Sequence, residues 1–113
     1  MAQQSDVFVR PSESDWVDAG PGIRRRVLGH DGTIMMVEFA FEEGAIGALH
    51  SHPHVQVSYV AAGAFEMTIG NRQTILRAGD SCYVPSNAEH GCKALEPGRL
   101  IDAFTPHRQD FLR

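Results

Sequence analysis

Cysteine is scarce. The 113 residues hold two, Cys82 and Cys92, too few for a fold that depends on disulfides. Both lie in apolar, strand-like stretches, where a free thiol packs as a small hydrophobe. A redox or ligand role is the alternative, and Cys92 keeps more of it because it shares strand parity with His90. Positive charge is also short. Ten Lys and Arg stand against fourteen Asp and Glu, for a net charge of −4. That balance argues against nonspecific nucleic-acid binding, which needs a basic surface. No apolar run approaches the ~20 residues of a membrane span. Met1 to Asp6 carries no basic stretch leading into an apolar one, so no secretory signal is read and a cytoplasmic location is expected. Low-complexity tracts and convincing internal repeats are missing too. So is helical periodicity: no window of eleven or more residues keeps apolar positions at i, i+3, i+4 and i+7.

What is present is a succession of short alternating runs broken by turn residues. Candidate strands are Ile23 to Leu28, Thr33 to Phe41, Gly47 to Ala61, Ala64 to Ile69, Gln73 to Arg77, Ser81 to Val84, His90 to Leu95 and Leu100 to Thr105. Met35, Val37, Phe39 and Phe41 fall on one face of their run, and Phe65, Met67 and Ile69 on one face of theirs. Gly70-Asn71 is a tight-turn pair. About eight closely spaced strands predict an all-β sandwich or small barrel. The length fits a single core. Residues 1–22 read as an irregular N-terminal segment, with Trp16 as an aromatic anchor against the barrel or a partner subunit. Residues 23–113 read as one barrel.

Histidine is the residue that stands out. Four of the six fall in two short segments framed by glycines: His50-Ser51-His52-Pro53-His54, followed by Gln56, and a lone His90. On a regular strand positions 50 and 52 share a face, ~7 Å apart, and converge on one ion if the strand curves. Imidazole is the commonest metal ligand among side chains. Pro53 removes a ladder donor and resets the local path, which leaves His54 as a rim residue. A lone strand histidine is ordinarily just a polar residue; the spacing is what raises His50, His52 and His90 to candidate ligands.

With their glycines, the segments read Gly44-x5-His50-x-His52-x3-Gln56-x6-Gly63 and Gly79-x5-Pro85-x-Asn87-x2-His90. This pair resembles the two motifs of the cupin superfamily, Gly-x5-His-x-His-x3–4-Glu-x6-Gly and Gly-x5-Pro-x-Gly-x2-His-x3-Asn. The resemblance implies a double-stranded jelly-roll barrel with a metal in its mouth. Three positions depart from it. Asn87 stands for a glycine, a mild change because Asn tolerates left-handed backbone. Ala94 stands for the last Asn. Gln56 stands for the Glu, and its amide oxygen can coordinate a metal without bringing charge. A divalent ion on His50, His52, Gln56 and His90 would stay uncompensated, which favours Lewis-acid work on an anionic substrate. The donor set does not choose among Fe, Mn, Ni, Co and Zn.

The last strand carries an acid in an apolar run. Leu100, Asp102 and Phe104 share a face. If that face is inward, Asp102 is a buried carboxylate, which is costly unless paired or functional, and a candidate general acid/base. If it is outward, Asp102 is a solvated edge residue. Phe104 is core, or a stacking surface for a sugar ring. Arg108 follows the strand, placed either to grip a substrate carboxylate in bidentate fashion or to pair with Asp110 at the surface.

Taken with the histidine segments, the ending Leu100-Ile101-Asp102-Ala103-Phe104-Thr105-Pro106-His107-Arg108-Gln109-Asp110-Phe111 is similar to the small single-domain cupins of the pectin-degradation KdgF type. That resemblance implies conversion of 4,5-unsaturated monouronates, released by pectin or alginate lyases, to linear ketonised sugar acids. It implies His50, His52, Gln56 and His90 as metal ligands, and catalytic or binding roles for Asp102, Phe104 and Arg108. It also implies a homodimer. Two other readings stay open: an iron-dependent cupin dioxygenase, and a sugar- or metal-binding cupin without catalysis. The expected partner in the leading reading is a small anionic sugar, with neither nucleic acid nor membrane.

Overall fold

The computed structural model describes residues 3–112. Ten strands run in chain order: β1 (Val17–Gly20), β2 (Ile23–His30), β3 (Met35–Phe41), β4 (Ile46–His50), β5 (Val55–Ala62), β6 (Ala64–Ile69), β7 (Arg72–Arg77), β8 (Ser81–Val84), β9 (His90–Ala94) and β10 (Gly98–Thr105). Single 3-10 turns, Pro11–Glu13 and Gln109–Leu112, flank them. The strands form two antiparallel sheets, one in the order β1-β2-β3-β10-β5-β8 and the other β4-β9-β6-β7. This is the jelly-roll sandwich expected of the alternating runs. Among the described residues no helix is long and apolar enough to cross a membrane.

Two sequence expectations need correction. The stretch Gly47 to Ala61 is two strands, not one. β4 stops at His50, β5 starts at Val55, and they lie in different sheets. Pro53 cannot donate to a ladder, and the chain turns across residues 51–54 to change sheets. His50 and His52 therefore do not share a strand face; His52 sits in the crossing. The N-terminal segment is also less irregular than expected. Val17–Gly20 pairs with β2 as the edge of the larger sheet. The Trp16 ring lies under the guanidinium groups of Arg24 and Arg26, 5.0 and 4.4 Å from its centroid. Residues 1, 2 and 113 of the expected domain division lie outside the described residues.

The core fills one end of the sandwich from both sheets. Ile23, Phe41, Val60, Phe65, Met67 and Leu100 bury together, and Phe41 meets Phe65 edge to face at 5.1 Å. Each such side chain contributes ~1.5–3 kcal/mol by leaving water. A smaller cluster of Met35, Val37 and Phe104 lies beneath the C-terminal turn. Of the expected inward face of β3, Met35, Val37 and Phe41 are buried and Phe39 is half-buried. Its outward neighbour Glu38 is buried as well, because Arg26 and Arg99 close on its carboxylate at 2.6 and 2.7 Å.

Register carries the inward side chains toward the histidines. Met35, Phe104, Gln56 and Val84 form one cross-strand row, and Val37, Asp102, Ser58 and Cys82 the next. Gly63 closes the turn between β5 and β6 at φ 82°, and a Cβ there would come within 2.6 Å of the Pro97 carbonyl oxygen. Only glycine fits both conditions.

Candidate metal centre and active site

Three histidines from two elements and one crossing meet at the mouth of the sandwich. His50 ends β4 and is paired in register with His90, which opens β9. His52 reaches them from the crossing. The loop before β9 holds that crossing in place: the Asn87 amide donates to the His52 carbonyl at 2.8 Å, and the Ser86 hydroxyl donates to the Pro53 carbonyl at 2.6 Å. Asn87 does this at φ 64°, the left-handed backbone that Asn tolerates. Ring centroids stand 4.3 Å apart for His50–His90, 4.8 Å for His52–His90 and 5.5 Å for His50–His52. One nitrogen from each lies within 4.8 Å of the others.

Each ring is oriented by its backbone. Nδ1 faces the Ala48 carbonyl at 2.8 Å in His50, the His54 carbonyl at 3.1 Å in His52 and the Ala88 carbonyl at 2.9 Å in His90. A carbonyl only accepts, so Nδ1 carries the proton in His50 and His90 and their Nε2 presents a lone pair, as in metal-ligating histidines; the single proton of neutral His52 has an accepting oxygen at 3.1 Å on either side, and metal binding places it on Nδ1. Nε2 of His90 is buried without a hydrogen-bond partner. Burial holds the His52 and His90 imidazoles below their ordinary pKa range; the Arg108 charge adds to this at His52. Neutral rings are the form that binds metal.

Gln56 completes the cluster. Its Nε2 donates to the Ser58 hydroxyl at 2.9 Å and to Asp102 Oδ2 at 3.2 Å. These bonds turn Oε1 to within 3.1 Å of His52 Nε2. With the His52 proton on Nδ1, two lone pairs face each other. A cation between them removes the repulsion. Two ligands at ~2.1 Å from one ion stand ~3 Å apart when they subtend a right angle at it. Charge, spacing and the unpartnered His90 nitrogen all fit a metal ion held by His50, His52, Gln56 and His90.

A cavity of about 310 Å³ opens beside this cluster, lined among others by His50, Gln56, His90, Asp102, Phe104 and Arg108. That is the small end of the range for small-molecule sites. Asp102 faces inward and is buried; the outward alternative does not apply. Burial pushes its carboxyl up to about 7, against the opposing pull of the Ser58 hydroxyl and the Arg108 charge. Its Oδ1 has no hydrogen-bond partner. A carboxyl held near neutrality by burial, with one oxygen unpartnered in a residue that lines the cavity, is suited to exchange protons with a bound ligand.

Phe104 is buried core and cavity wall together. It meets the His52 ring at 5.8 Å and carries the Arg108 guanidinium 5.2 Å from its centroid. Arg108 makes the expected pair with Asp110, although its own side chain is mostly buried rather than at the surface. It lines the cavity, and its Nε and Nη2 donate to the two Asp110 oxygens at 3.1 and 3.0 Å. His54 is half-buried, and its Nε2 donates to the His107 carbonyl at 3.1 Å. Cys92 lines the cavity as a thiol that burial pushes up to about 12, which suits packing rather than thiolate chemistry. Neither cysteine is in a disulfide.

Sequence reasoning passed over three residues of this cavity: Ser58, Phe111 and Arg25. Ser58 and Arg25 carry the signal that revealed Asp102, a polar residue at an inward position of an alternating strand. Phe111 has no such signal, because it is delivered by the turn after β10.

Relatives with the same architecture are known. A model of the cupin domain family matches residues 37–104. The pectin degradation protein KdgF of Dickeya dadantii is 44% identical over 102 residues, which cover 88% of this chain and 93% of that one. An RmlC-like cupin from Shewanella frigidimarina superposes with a TM-score of 0.93 at 40% identity, over 96% of this chain and 98% of the other. KdgF from a Halomonas species superposes with a TM-score of 0.88 at 39% identity, over 94% and 98%. The chain therefore belongs to the cupin superfamily and, within it, to the family of the pectin degradation protein KdgF.

Proposed function

We propose that the protein converts 4,5-unsaturated monouronates to linear ketonised sugar acids, with Asp102 as the proton-transfer residue. The observation that carries this reading is a buried inward carboxyl, pushed up to about 7, in the same cavity as the histidine cluster and Arg108. The similarity to proteins named for pectin degradation supports the substrate class.

The conversion is an isomerisation. The bond from the anomeric carbon to the ring oxygen breaks, the anomeric hydroxyl gives up its proton, and the anomeric carbon becomes an aldehyde. The enol left at C5 becomes a ketone when C4 takes a proton. One group that accepts a proton and then delivers one is sufficient, and a carboxyl titrating near neutrality does both. Gln56 holds Asp102 Oδ2 and leaves Oδ1 without a partner, in a residue that lines the cavity. Phe104 supplies an apolar wall, and the cation of Arg108 faces the substrate carboxylate. A divalent transition metal on His50, His52, Gln56 and His90 would supply Lewis-acid polarisation of a substrate oxygen.

A cytoplasmic location and a homodimer belong to the same proposal. Outward apolar side chains on the larger sheet, Val57, Tyr59 and Tyr83, support the dimer. Light scattering on the purified protein tests it.

Purified, metal-loaded protein is mixed with 4,5-unsaturated galacturonate, and the loss of enol-ether absorbance is followed. The expected result is loss well above the buffer rate with no oxygen consumed. No acceleration would overturn the substrate assignment, and oxygen uptake would point to dioxygenase chemistry instead.

A further inference from the structure

The mouth of the cavity holds two arginines, and the one not read from the sequence is the freer. Arg25 lies on the inward face of β2 between Ile23 and Val27, opposite Phe39 of β3. It lines the cavity with His50, Gln56, Asp102 and Arg108. Its guanidinium carbon is 4.1 Å from the centroid of Phe111, and that of Arg108 is 4.3 Å from the same centroid. The two cations therefore share one ring and stand no farther apart than those distances together. Their electrostatic situations differ. Arg108 gives its Nε and Nη2 to both oxygens of Asp110. Among the described residues Arg25 has no ion pair, and Asp110 reaches it only as a longer-range charge.

A partly buried cation without a counter-ion is unfavourable unless something else supplies the charge. Arg25, Arg108 and Asp110 leave one formal positive charge among them, and Asp102, the acid that lines the same cavity, is pushed toward its neutral form by burial. The contact with the Phe111 ring uses none of the Arg25 N–H donors, so the planar fork remains free for a carboxylate. We propose that Arg25 is a second substrate-binding residue, whose guanidinium takes the uronate carboxylate while Arg108, clamped by Asp110, completes the cationic wall. This rests on the uronate reading of the site.

The test compares wild type, Arg25→Met and Arg25→Lys, all metal-loaded, with melting curves and metal content recorded first. KM and kcat are measured on 4,5-unsaturated galacturonate and on its methyl ester, and binding of saturated galacturonate is measured by calorimetry. Arg25→Met is expected to raise KM for the acid by at least ~10-fold, the scale of one charge-assisted bidentate contact. Its kcat should fall less, and the ester should be handled as by wild type. Arg25→Lys keeps the charge but loses the fork, and falls between. If Arg25→Met does not fold, the Arg25→Lys comparison decides alone. Equal losses on acid and ester, or an unchanged KM, would overturn the proposal and leave Arg25 as a packing partner of Phe111. If wild type turns over neither compound, the uronate reading fails. Calorimetry then decides the anion site: weaker galacturonate binding in the variants sustains it, and equal binding overturns it.

Discussion

His52 and Gln56 face each other acceptor to acceptor, with Nε2 and Oε1 3.1 Å apart. The His54 carbonyl can take the proton on His52 Nδ1, and Ser58 with Asp102 turns the amide so that its oxygen points back at the ring. The pair makes chemical sense around a cation. Because the amide brings no charge, the cation keeps its full charge for the substrate.

Replacing Gln56 by Glu tests that point. A carboxylate would bind the ion more tightly, so metal should leave more slowly under chelator. It would also set a second carboxylate beside Asp102, where Gln56 now donates at 3.2 Å, and push Asp102 further toward its protonated form. Metal analysis and turnover should move in opposite directions: better retention, slower reaction. Faster turnover would contradict the role given to the neutral ligand.

Acid should strip the metal. The ligating rings must be neutral, so protonation competes with the ion. In the metal-free protein the same rings act on stability. His52 and His90 have folded pKa values below the ordinary imidazole value. The folded state therefore binds fewer protons than the unfolded one as pH falls through ~6.5, and stability drops in that window. Melting temperatures of metal-free protein should fall on mild acidification, and by less in His90→Leu. An equal fall would show that the buried ring is not responsible.

Asp102 carries the opposite sign. Its folded pKa of about 7 lies above the ordinary aspartate value of 3.8, so the folded state holds an extra proton between those values. The burden of a buried charge is absent in acid, grows across that window and is complete above about 7. Metal-free Asp102→Asn should therefore melt higher than wild type in mildly alkaline buffer, with the difference shrinking toward acid. A variant that melts lower throughout would mean that the carboxylate is stabilising.

The outer face offers a separate check. Glu38 is shared by Arg26, which is mostly buried, and Arg99, whose side chain is 54% exposed. Water already screens Arg99, so Arg99→Met should cost little. Arg26→Met removes the better-shielded partner and the cation over Trp16, and should cost ~1–3 kcal/mol. Denaturant melts rank the two, and the reverse order would contradict the burial argument.

The sequence disclosed the site better than the path to it. Strict alternation in β3, β6 and β10 marked the inward faces because a two-residue period leaves little choice when one face is buried. The same alternation located Asp102. It failed across His50 to Gln56, where a crossing between sheets breaks the period and Pro53 is the only local sign of it. The N-terminal strand was missed because four residues with mostly exposed side chains carry no hydrophobic pattern; backbone pairing to β2 holds them. Arg25 was overlooked because three consecutive arginines, Arg24-Arg25-Arg26, mask the alternation of their strand, although strand geometry sends the middle one inward.

The most direct measurement follows 4,5-unsaturated galacturonate with wild type and Asp102→Asn side by side, with metal content determined on the same samples. Wild type should consume the substrate and release the linear keto acid, while Asp102→Asn binds the same metal and turns over at least ~100-fold more slowly, the lower end for loss of a general acid/base. Equal rates at equal metal content would contradict the account.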